Sequence, residues 1–357
     1  MQNMNYNNDA AHYAAPPIYN NKPSLDPKAA EKRLVRKTSN GLGFFIVVYY
    51  IVMLVVLSIR STAIKGLNVT SDEFIYSLQI FIYVISPLTA GLFYRIISRK
   101  RISDYFPKSF VPLKKLVPMI LLGMAVAMIA NEFAIMFDSN ISIFNLKNQV
   151  DPSDSTQTWT ELVFSFISTA ILPAFAEEFA FRGIFMGVMR KHGDAFAILS
   201  SSVVFALMHG NTTQIVFAFT LGLMFGYLDC KANSIVPSVI LHFANNFYAI
   251  LREGLSTALN DDTANILIAS ALIGILCLLG ILSYIYLSRA DKPFFKLSNS
   301  ENNVFSKIDT LNMKEKFSAF FSCPGIIIFS AMLITETILN LIPQEVLDQI
   351  MGAVHIG

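Results

Sequence analysis

Ile171-Leu172-Pro173-Ala174-Phe175-Ala176-Glu177-Glu178-Phe179-Ala180-Phe181-Arg182-Gly183 lies inside an apolar run over about 160–188. The run is long enough to cross a hydrocarbon layer of ~30 Å at ~1.5 Å per helical residue. It nevertheless carries two carboxylates and a guanidinium. Ionisable groups in such a span are costly and by default mark a functional site. Outward from this segment, further apolar runs lie near 41–60, 75–97, 116–137, 195–210, 214–230, 235–252, 264–288 and 320–342. They predict an all-α fold, a polytopic integral membrane bundle of eight to nine transmembrane helices. The short runs 195–210 and 214–230 are the ones open to a tilted, re-entrant or buried placement.

Composition supports this class. Of 357 residues, 54% are hydrophobic and 15% charged, and mean hydropathy is +0.53. A soluble domain carries roughly 25% charged residues, so this chain lacks the polar surface to cover itself in water. Lys+Arg is 27 against Asp+Glu 25, a net charge of +2, too balanced for a nucleic-acid partner. Cys230, Cys277 and Cys323 lie far apart with no Cys-x-x-Cys spacing, which excludes a disulfide framework and a thiolate zinc site.

Loop charges give an orientation. Arg95, Arg99, Lys100 and Arg101 follow the second run, Arg190 and Lys191 the fourth, Lys231 the sixth, and Arg289, Lys292, Lys296, Lys307, Lys314 and Lys316 the eighth. The alternate loops hold Asp138, Asp151 and Asp154, then Glu253, Asp261 and Asp262. Positive loops stay inside, so the N-terminus is expected in the cytoplasm. Residues 1 to about 33 show no period and read as a disordered tail, not a signal peptide. The Pro-Pro-Ile-Tyr at 16–19 resembles a docking motif and reads as linker. The expected organisation is a tail over 1–38, N-terminal transmembrane helices over 39–158, a core bearing the chemistry over 159–252, and C-terminal helices with a cytoplasmic loop over 253–357. No internal repeat is evident, which counts against an inverted-repeat transporter.

The polar residues within the runs divide by helix geometry. Glu178 and Arg182 are an i,i+4 pair on one face and form an ion pair. Glu177 points about 100° away, without that partner. A glutamate left alone in a low-dielectric pocket is the kind tuned for proton transfer near neutrality. His209 closes the fifth run, four residues after Phe205, which reads as packing. His242 and Asn246 share a face of the seventh; an imidazole there orients a water or binds a metal, and an amide N–H stabilises an oxyanion. Pro173 should kink its helix and free a carbonyl. Counted from the run boundaries, Glu177 and His242 sit nearer the cytoplasmic side, whereas His209 does not.

Glu177-Glu178-Phe179-Ala180-Phe181-Arg182 resembles the EExxxR motif of the CAAX proteases and bacteriocin-processing enzymes, the CPBP intramembrane protease (Abi) family. Phe205 to His209 is similar to the family's FxxxH motif, and His242 to Asn246 to its HxxxN motif. The three occur in order, and the resemblance covers about 160–250. It implies an integral-membrane endopeptidase, similar to prenyl-protein CAAX endopeptidases, acting on a peptide or membrane-anchored protein within the lipid bilayer. It implies that Glu177 activates water with help from His209, that His242 and Asn246 line the oxyanion side, and that Glu178, Arg182 and Phe205 support or bind. No cofactor is certain from it. A divalent metal such as zinc on His209, His242 and Glu177 stays open, although the chain lacks the His-Glu-x-x-His pair of common zinc peptidases. The expected setting is a bacterial cytoplasmic membrane. The alternative is a non-catalytic membrane partner, such as a bacteriocin self-immunity protein.

Overall fold

The computed structural model describes residues 26–66, 72–141, 163–259, 261–290, 294 and 310–342. The Pro-Pro-Ile-Tyr at 16–19, Asp151, Asp154, Lys292, Lys296 and Lys307 lie outside these. Among the described residues there are ten helices and no strand: α1 Pro27–Gly66, α2 Asp72–Ser98, α3 Leu113–Ile141, α4 Val163–His192, α5 Asp194–Leu207, α6 Thr212–Ala232, α7 Val236–Leu259, α8 Asp262–Ala290, α9 Met313–Phe321 and α10 Pro324–Leu341. The nine apolar runs of the sequence appear as α1–α8 and α10.

Seven of these helices, α1–α4, α6, α8 and α10, are long and apolar enough to cross a membrane. Of the other three, α5 and α7 are informative. α5 has 14 residues, and α7 interrupts its apolar face with His242, Asn245, Asn246 and Arg252. These two helices bring the histidine motifs into the bundle. α8 marks the periphery: only 11% of its apolar window is buried, and Ile266, Leu267, Leu278 and Ile281 stand exposed, as expected of side chains facing acyl chains.

The first helix corrects the expected tail boundary. α1 begins at Pro27, a favoured first-turn residue, so residues 27–38 are helical. Glu31 explains the extension. Its Oε2 accepts hydrogen bonds from the backbone N–H of Thr310 (2.6 Å) and Leu311 (2.9 Å) and from the Thr310 hydroxyl. Its Oε1 lies 3.6 Å from Lys316 Nζ. The polar first turns of α1 are thereby tied to the segment that starts α9.

Packing follows small residues. α1 crosses α10 where a Cβ on Gly43 would fall 2.5 Å from the Gly325 backbone, and α8 meets α3 where a Cβ on Gly280 would fall 2.2 Å from Ala125. Lipid offers helices no hydrophobic drive to associate, so close backbone approach is what holds them. At one end of the bundle Ser109 N–H donates to Asn233 O at 2.9 Å, linking the α2–α3 loop to the α6–α7 turn. Gly43→Leu should force α1 and α10 apart and destabilise the protein by roughly 1–3 kcal/mol, measured as a lowered Tm in detergent micelles.

Candidate active site

α4 is wound unevenly, and the reason is in its sequence. Pro173 has no N–H to give the carbonyl of Thr169, four residues back. The helix is wide (π-wound) over Phe166–Ile171 and again over Phe179–Met186. Such widened turns are frequent at functional sites. The Thr169 carbonyl is taken instead by Asn246 of α7, whose Nδ2 donates to it at 2.9 Å. The carbonyl that proline frees therefore fastens the helix carrying the HxxxN residues to the helix carrying the glutamates.

Four residues along α7, His242 faces the same neighbour. Its Nδ1 lies 2.9 Å from Glu178 Oε1, while Glu178 Oε2 lies 3.2 Å from Arg182 Nε and Oε1 3.3 Å from Arg182 Nη1. Glu178 and Arg182 are wholly buried, and His242 nearly so. The arginine carbon Cζ sits between two rings, 4.3 Å from the Phe205 centroid and 4.9 Å from that of Phe225. Phe225 also stacks on His242, with centroids 5.3 Å apart. Cation–π contact strengthens when the cation is desolvated, so the two faces supply part of what the lost hydration would have. Phe205, read from the sequence as packing and from the resemblance as support or binding, lies against the guanidinium.

A paired Glu178 is an acceptor, which assigns Nδ1–H of His242 as the donor and leaves Nε2 as a lone-pair acceptor. That Nε2 lies 3.9 Å from Glu177 Oε2. The gap is too long for a direct bond and wide enough for one water bonded to both. Glu177 points away from Arg182, as its place on the helix requires. It lines a cavity of about 260 Å³ together with Tyr49, Tyr83, Phe181, Phe205 and His209.

His209 reaches this cavity from the turn after α5. Glu177 lies 16 residues before Gly193 and His209 16 residues after it. Antiparallel helices joined at Gly193 therefore bring both to one depth, although the run boundaries separate them. His209 Nδ1 lies 3.0 Å from the Phe205 carbonyl, and the ring stands edge-on to Phe205 at 5.1 Å. Six of the seven residues singled out from the sequence thus meet around Phe205, Glu178 and the cavity. Asn246 stands apart, its Nδ2 engaged with α4.

Several contributors were not legible in the sequence. Tyr49 of α1 and Tyr83 of α2 wall the cavity and come from helices with no motif. Asp229 of α6 accepts from Ser238 N–H (3.0 Å) and Oγ (2.7 Å) in the first turn of α7, fixing where that helix begins and hence where His242 points. A carboxylate inside the 214–230 run was its available signal. For a metal, the donor chemistry of His209, His242 and Glu177 is suitable, but among the described residues no three His, Cys, Asp or Glu converge as a ligand group.

Residues 159–248 match the family model described as type II CAAX prenyl endopeptidase, Rce1-like. No curated protein and no solved structure matches the chain. This segment, about a quarter of the chain, contains all three motifs and is similar to the CAAX-protease family. Removing the cation from the buried network should be severe. Arg182→Met strands Glu178 and should cost about 3–5 kcal/mol, whereas Glu178→Gln with Arg182→Met should recover part of that loss; thermal unfolding of the purified variants measures both.

Proposed function

We propose that the protein hydrolyses a peptide bond with a water held between Glu177 Oε2 and His242 Nε2. The observation that carries this reading is the 3.9 Å separation of those two atoms beside a cavity that also receives His209. Glu177 takes a proton from the water as its oxygen attacks the scissile carbonyl carbon. His242 Nε2 accepts the second O–H and orients the lone pair. Glu178 holds the imidazole in that tautomer, and Arg182 keeps Glu178 an acceptor. The new C–O bond leaves an oxyanion in the cavity that His209 borders. As the C–N bond breaks, Glu177 returns its proton to the departing amine. Positioning of this kind, with a base at hydrogen-bond reach, contributes about 10²–10⁴-fold to rate.

This reading exchanges the two histidine roles that the resemblance implies, because His242 is the imidazole facing Glu177. Asn246 acts through α4 as a positioning residue. No step is drawn through a metal, since the donors do not converge as a ligand set; zinc bound there would act as Lewis acid on the substrate carbonyl.

The surroundings support a lipid-modified substrate. Across Tyr83 from the cavity, an apolar groove of about 630 Å³ runs between α2, α4 and the start of α7, lined by residues such as Pro87, Phe175, Phe179 and Val239. Phe175, at 61% exposure, and Leu88, at 56%, show that it opens at the outer face of the bundle. A prenyl chain on a C-terminal cysteine fits such a groove while the adjoining peptide reaches Glu177.

The test is cleavage of a farnesylated CAAX peptide by protein reconstituted in lipid nanodiscs. Glu177→Gln should lower kcat by about 10²–10⁴-fold with Tm unchanged; wild-type turnover by that variant would remove the base assignment. Cleavage should also survive exhaustive chelation, and activity lost to a chelator and restored by zinc alone would replace the proposed water activation with a metal-assisted one.

A further inference from the structure

Glu336 of α10 is a carboxylate within an apolar membrane helix, a placement that by default carries function, and the mechanism above does not use it. α10 lies outside the segment matched by the family, 159–248. Its last turns nevertheless reach the turn that carries His209. α5 ends at Leu207, and the chain turns through Gly210 at φ +65°, a left-handed conformation suited to glycine. Beyond a helix end, backbone carbonyls need outside partners. The Gly210 carbonyl finds one in Asn340, whose Nδ2 donates to it at 2.9 Å. The Glu336 carboxyl group, one helical turn before Asn340, lies against the same turn, its atoms 3.2–3.4 Å from where a Cβ on Gly210 would sit.

Glu336 is itself held. The Tyr50 hydroxyl of α1 donates to its Oε2. The preceding residue, Tyr49, lines the Glu177 cavity. The opposite end of α10 is fixed by Gly325 N–H donating to Asn40 Oδ1 at 3.0 Å, beside the close Gly43–Gly325 crossing. One helix thus runs from a foothold on α1 to two contacts on a single glycine adjacent to His209.

We propose that α10 is a working part of the site, with Glu336 and Asn340 as positioning residues that hold the His209–Gly210 turn so that the His209 imidazole faces the Glu177 cavity. The proposal rests on the endopeptidase reading for its effect on rate, but its geometry stands apart from it. The interactions are specific in kind. Glu336 serves Tyr50 as an acceptor, so a glutamine replaces it and an alanine does not. Asn340 serves Gly210 as a donor, so an aspartate of equal size does not replace it.

Full-length protein in nanodiscs tests this in two independent ways. With the farnesylated CAAX peptide, Asn340→Ala should lower kcat about 10- to 100-fold, the scale of a small misplacement of a reacting group, with KM changed less than about twofold. Glu336→Ala should behave alike, and Glu336→Gln should restore most of the rate. In a His209→Ala background, Asn340→Ala should add no further loss, since the two then act through one group. Losses that multiply, or a wild-type rate in Asn340→Ala, overturn the proposal. If Asn340→Ala fails to fold, Asn340→Asp carries the same comparison.

The second readout does not need catalysis: carbethoxylation of His209 by diethyl pyrocarbonate, followed by peptide mass spectrometry. Asn340→Ala and Asn340→Asp should speed modification of His209 several-fold while His242, held by Glu178, keeps its rate; an unchanged His209 rate overturns the clamp. A wild-type protein that leaves the peptide uncut, yet shows the altered His209 reactivity in these variants, would refute the endopeptidase reading and sustain the clamp.

Discussion

A guanidinium sealed between two phenyl rings is the constraint on which the remaining geometry depends. Arg182 cannot lose its proton in a protein, and at full burial it requires an anion at hand. Glu178 is that anion, one helical turn away. Once Glu178 is fixed by Arg182, it accepts from His242, so the imidazole has one tautomer and one orientation. The rings of Phe205 and Phe225 that enclose Arg182 also border His209 and His242. Charge, tautomer and ring packing are therefore one connected arrangement drawn from α4, α5, α6 and α7.

The neighbouring Glu177 gains its character from exclusion. It sits one residue from the ion pair yet points into a cavity walled by α1 and α2, away from Arg182. Two adjacent glutamates thus acquire different surroundings, one paired with a buried cation and the other facing the cavity. The helical angle between successive residues creates this division, and α7 packs against the wide winding before Pro173, where Asn246 takes the Thr169 carbonyl. Asn246 of α7 and Asp229 of α6 serve the same end, one at the carbonyl that proline leaves free and the other at Ser238 in the first turn of α7.

The parts outside the family segment are not appendages. α1 and α2 supply Tyr49 and Tyr83 to the cavity, and α10 grips the turn beside His209. The end of the short helix α5 leaves backbone groups in need of partners, and Asn340 of α10 supplies one to the Gly210 carbonyl. That need explains why a helix remote in sequence is brought against Gly210.

Much of the polar site is legible in the amino-acid order. Glu177, Glu178, Arg182, His209 and His242 stand out because the cost of a charge or imidazole in hydrocarbon depends on residue type and run length, both of which a sequence displays directly. The Glu178–Arg182 pair follows from spacing within one helix. Asp229 and Glu336 carry the same signal, but what each one holds is not legible, because no motif accompanies them and their partners lie on other helices. His209 falls at the wrong depth when counted along its run, since depth depends on where helices turn and not on where apolar stretches begin. The start of α1 at Pro27 likewise rests on long-range contacts of Glu31. The helical membrane class and the set of polar residues were thus properties of the chain's local pattern. Which imidazole faces Glu177, and what holds each one, came only from the folded bundle, since those contacts join residues of different helices whose relative placement no local pattern encodes.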